Sequence, residues 1–147
     1  MRKEFIFNLQ KILDFRVSLE EKAQQALARA RQQYQEQNYV LDNLRYELSQ
    51  AKQELQSKKD VSQGDIWLWN QYIDRLNFDI SHAEVILQKI AKELTLKRKN
   101  LLEKSKEKKI IEKLKVNQKM KFNHEQEKAE QKEFDEMAVV RFKPKTY

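Results

Sequence analysis

Seam positions, most of them apolar, recur along this chain in alternating steps of four and three. From the N-terminal side they read Leu9, Leu13, Arg16, Glu20, Ala23, Leu27, Ala30, Tyr34, Gln37, Leu41, Leu44, Leu48, Ala51 and Leu55. After a break around Gly64 the series resumes as Ile66, Trp69, Ile73, Leu76, Ile80, Ala83, Leu87, Ile90, Leu94, Lys97 and Leu101. Residues that repeat every 3.5 positions fall on one narrow stripe of an α-helix, and such a stripe is buried only against another helix. Two stripes joined by a short turn predict an all-α fold, an antiparallel coiled-coil hairpin of two long helices. The boundaries read as helix 5–58, turn 59–65, a longer helix 66–138 and a tail 139–147, all in one domain. At about 1.5 Å per residue the helices reach about 75 Å and about 105–110 Å, a rod without a pocket for chemistry.

The polar seam positions refine this picture. Arg16, Glu20 and Gln37 interrupt the first stripe; such residues lower stability and fix register, and Arg16 and Glu20, four apart, can pair with each other. The second stripe is strong to Leu101 and then meets Lys104 and Lys108, with Ile111 and Leu114 restoring apolar contact in a shifted phase. Antiparallel pairing sets Leu9 opposite about residue 112. Beyond that point the second helix has no partner in its own chain, and the overhang carries Phe122, Phe134, Met137 and Phe142. Its basic part is expected to be helical only part of the time when free. Between the stripes, Gly64 supplies permissive backbone dihedrals and Ser62 or Asp65 caps the next helix.

Composition agrees with long helices. The 147 residues include one Gly, one Pro and 36% charged side chains. No cysteine is present, so there is no disulfide framework or thiolate. No apolar stretch has secretory or membrane-spanning length, which points to a soluble intracellular protein. The net charge of +7 sits almost wholly in residues 97–121, where 11 Lys/Arg stand against 3 Asp/Glu. That stretch reads as a solvated face, as a surface steered toward an acidic protein, or as a site for nucleic acid or anionic lipid. Nucleic acid ranks low, because lysine far outnumbers arginine and no aromatic interleaves before Phe122.

Catalytic constellations are lacking. His82 and His124 are the two histidines, and Asp79 with His82 supplies at most two metal ligands. A single glycine cannot build a phosphate loop. No enzyme activity, metal or cofactor is therefore expected. The most unusual patch is Ile66-Trp-Leu-Trp-Asn-Gln-Tyr-Ile73, at the hairpin tip. Trp67, Leu68 and Tyr72 cannot all join the seam, so they either seal the hairpin end or dock another protein.

The terminal motifs carry a resemblance. Phe7-Asn-Leu-Gln-Lys-Ile-Leu-Asp-Phe-Arg16, then Glu20-Glu-Lys-Ala23 and Leu27-Ala28, resemble the opening of the flagellar export protein FliJ family. Ile111-Glu-Lys-Leu-Lys115, Glu130-Gln-Lys-Glu-Phe-Asp-Glu-Met-Ala138 and Arg141-Phe142 resemble its close. The resemblance covers essentially the whole chain. It implies a non-enzymatic component of the flagellar type III export apparatus, cytoplasmic and peripheral to the membrane. Such a component enters the hexameric export ATPase ring, promotes its assembly, links it to the membrane export gate and engages export chaperones. The gate-contacting face implied here is Tyr72, Leu76, Asp79 and Ala83, with Trp67 beside it. Asp79 departs from a small apolar residue and Ala83 from a histidine in the family's pattern. Phe7, Leu9, Arg16, Lys104, Lys108, Lys109, Lys113 and Phe122 are the expected ring contacts. A generic coiled-coil scaffold, or the equivalent stalk of a virulence type III secretion system, is the alternative.

Overall fold

The computed structural model describes residues 3–142. They form two helices, α1 (Gln10–Ser57) and α2 (Gln63–Arg141), antiparallel and with α2 the longer. Among the described residues there is no strand. Packing divides the chain into two compact units, one of residues 21–103 and one of residues 1–20 with 104–147.

In the first of these units the seam is apolar and tight. Ala23, Leu27, Ala30, Leu41 and Ala51 of α1 are buried, as are Leu76, Ala83 and Leu94 of α2. Leu27, Ala30 and Leu94 form one cluster, flanked by Tyr34 and Leu101. Alanines in the stripe let the two backbones approach, and Leu41, 2% exposed, fills the space most completely. Gln37 shows how the close approach accommodates a polar residue, for its Nε2 donates to the Ala83 carbonyl at 3.1 Å. A larger side chain than that of Ala83 would shield the acceptor. Two expected seam positions are solvent-exposed instead. Ile66 lies in the first turns of α2, at the end of the pair, and Lys97 keeps its ammonium in water.

The connection differs in detail from the sequence expectation. Helix α2 begins at Gln63, so Gly64 and Asp65 belong to its first turn and the turn proper is residues 58–62. Ser62 is the cap: its Oγ accepts from the Asp65 N–H at 3.2 Å. Asp65 instead places a carboxylate beside the free amides of the helix start, where negative charge is favourable. No residue here has positive φ, so the conformational freedom of Gly64 goes unused.

The second unit is built differently. Helix α1 starts at Gln10, not residue 5, and the segment before it runs as non-helical chain. Phe7 is buried, and Phe5 meets Phe122 with ring centroids 5.6 Å apart. The next layers are ionic. Arg16 Nη1 reaches Glu107 Oε2 at 2.7 Å, and Lys108 Nζ donates to Glu20 Oε1 at 3.0 Å. Arg16 and Glu20 therefore each pair across the seam. Lys104 adds a 3.7 Å contact to Glu107, and Lys115 Nζ donates to Gln10 Oε1 at 2.7 Å. The hydrogen bond to Glu20 is the main reason that the Lys108 ammonium holds its proton above the usual lysine value, against a smaller opposing effect of burial.

These contacts correct two expectations. The heptad phase does not shift after Leu101: Lys104, Lys108, Ile111, Lys115 and Phe122 continue it, while Leu114 faces outward. The partner of the N-terminal chain also lies further along α2 than residue 112, since Gln10 meets Lys115 and Phe5 meets Phe122. Phe122 thus belongs to the paired part. Pairing ends near Gln126, and residues 127–142 are all exposed although α2 continues helical to Arg141.

Two substitutions probe this packing by thermal or denaturant unfolding. Leu41→Ala removes the most buried side chain and should cost about 2–5 kcal/mol. Gly64→Ala should stabilise by about 0.5–1 kcal/mol, since a helical alanine is favoured there and its Cβ would meet nothing closer than Ser62 Oγ at 3.9 Å.

Candidate binding surfaces

Local sequence decides which side chains the tip of α2 offers. Trp69 and Ile73 turn toward α1, leaving Ile66, Trp67, Leu68 and Tyr72 on the outside. Trp67 and Leu68 are 61% and 59% exposed, and Tyr72 is 43% exposed. Trp69 is held from two sides: the Lys58 ammonium lies 5.0 Å from its ring centroid, and Tyr72 meets it edge-on at 6.1 Å. Asp65, Leu68, Trp69 and Tyr72 line an open groove there. The result is a fixed aromatic base carrying a free apolar rim.

The expected gate face fares unevenly. Leu76 and Ala83 are buried in the seam, 3% and 4% exposed, so neither can present a side chain to a partner while α1 is in place. Their i, i+7 spacing is that of the stripe itself, and a resemblance mapped at that spacing cannot tell inside from outside. Asp79 is half-buried at the seam's edge, and Trp67 and Tyr72 remain available.

The expected ring contacts divide in the same way. Phe7 is buried, and Leu9, Arg16, Lys104, Lys108 and Phe122 are all half-buried in the pairing of α1 and its N-terminal segment with α2. Lys109 and Lys113 alone of that set point outward, joined by Lys106, Lys119 and Lys121. Within this basic stretch of α2, heptad phase decides which lysines face outward.

A further surface lies on α1, off the apolar stripe. On α1 the positions Gln25, Ala28, Gln32, Gln35, Tyr39, Asn43, Tyr46, Gln50, Gln53 and Ser57 share one outward face, and all are exposed. None carries charge, in a chain where 36% of residues do. Tyr39 and Tyr46 stand 69% and 65% exposed on it. The readable signal was the absence of Lys, Arg, Asp and Glu from a helical face. Phe78, 71% exposed on α2, was likewise passed over because it lies off the seam.

Among the described residues no three His, Asp or Glu side chains come together as a metal site. No described helix is long and apolar enough to cross a membrane.

No curated protein and no solved structure matches the chain significantly. The family described as flagellar FliJ protein matches residues 5–146, nearly every position, including both terminal motifs and the turn between the helices. The chain belongs to the flagellar FliJ family and is a component of the flagellar protein export apparatus.

Proposed function

We propose that the chain is a non-catalytic, shaft-like adaptor of that apparatus, cytoplasmic and peripheral to the membrane, which binds the hexameric export ATPase and promotes its assembly and activity. The observation that carries this reading is the end of α2, whose residues 127–141 are helical and exposed. A single helix is the slimmest element that can enter a ring. The outward lysines 106, 109 and 113 just before it would steer the end toward an acidic pore.

In the same reading the residue 21–103 unit serves the other partners, the export gate and export chaperones. The exposed rim of Trp67, Leu68 and Tyr72 suits the centre of a protein interface, where aromatics carry much of the binding energy. The uncharged α1 face around Tyr39 and Tyr46 can be covered without desolvating a charge.

The two ends should separate experimentally. Reversing Lys106, Lys109 and Lys113 together to Glu should lower stimulation of the purified ATPase at moderate salt, with helicity retained. Undiminished stimulation would remove the electrostatic part of the reading. Conversely, Trp67→Ala with Tyr72→Ala should weaken binding to the cytoplasmic part of the gate about tenfold or more and leave ATPase binding intact. Equal loss of both, accompanied by lower helicity, would show that the tip is only structural.

A further inference from the structure

Helix α2 carries a second exposed heptad series off its seam, of which Asn123 and Glu127 border a hollow that Lys3 of the N-terminal segment also lines. The series begins Lys106, Lys109, Lys113, passes through Val116 and Met120, and continues with Asn123, Glu127 and Glu130. Every one of these positions is exposed; Val116 is 56% and Met120 65% exposed. The order of chemistry along it is basic, apolar, acidic. A stripe of that kind matches itself when rotated by two-fold symmetry, which is the requirement for an interface shared by two identical chains.

We propose that this face is where two copies of the chain pair, antiparallel, through residues 106–130 of α2. Setting Val116 of one copy on Met120 of the other places two apolar layers about the axis. Lys113 then falls opposite Asn123, and Lys109 opposite Glu127, on both sides of the axis. Lys106 falls opposite Glu130, which already has an interaction within its own chain, so the weight rests on the Lys109–Glu127 pairs. A parallel pairing would instead set lysine on lysine and glutamate on glutamate, which is destabilising. The apolar centre is small, so the dimer is weak and depends on its charges. Lys109 and Lys113 also serve the ring in the function proposed above, and a paired chain would hold them out of its reach. The self-pairing itself stands without that function.

Sedimentation of the purified full chain, over a concentration series at low salt, tests the pairing without any partner. A monomer–dimer equilibrium is expected, weakened by raising salt to about 0.5 M. Either K109E or E127K alone should weaken dimerisation by about tenfold or more, because each sets like charges opposite. The double variant K109E/E127K should restore it. An equimolar mixture of the two single variants should also recover dimer, as a heterodimer. A chain that stays monomeric throughout overturns the proposal. So does a dimer indifferent to both single reversals, or one that the charge exchange does not restore.

Discussion

Everything in this molecule depends on one contact, the antiparallel seam of the two helices. Among the described residues no sheet or third helix shares the burden, so a residue is inside only where the facing helix or the N-terminal segment lies over it. That contact is made in two ways. In residues 21–103 it is alanine and leucine at close range, with Gln37 accommodated by the Ala83 carbonyl. In the other unit it is a run of ion pairs closed off by phenylalanines.

The two kinds of contact do different work. Apolar burial is non-directional and supplies most of the stability. Partly exposed ion pairs give little net energy, because desolvation and side-chain ordering offset much of the attraction. They are nonetheless particular about distance and partner. Arg16 with Glu107, and Glu20 with Lys108, therefore align α1 on α2 more than they hold it there. Seam charge of this kind also withdraws lysines from the surface. The basic stretch of α2 looks uniform in sequence, yet Lys104, Lys108 and Lys115 are engaged inward while Lys106, Lys109 and Lys113 stay free.

A fold made of one seam leaves much helix surface uncovered, and here that surface is differentiated. The tip is aromatic, the outer face of α1 is polar but uncharged, and the outer face of α2 changes from basic to acidic as it passes Val116 and Met120. Residues 127–142 are all exposed.

Heptad spacing alone determined the two helices, their antiparallel return and nearly every seam residue from Leu9 to Leu55, because burial of a narrow stripe admits a single solution. The charge run and the aromatic tip were legible for the same reason, being local in the chain. Tertiary structure decided the rest. It placed Phe5 on Phe122 and Gln10 beside Lys115, since the offset between two helices is set by side chains about a hundred positions apart, which no local pattern encodes. It turned Arg16 and Glu20 across the seam, because ions on facing helices meet there as closely as ions four apart on one. And it enclosed Leu76 and Ala83 while leaving Trp67 and Tyr72 open, for a residue is free or covered only with respect to the helix beside it.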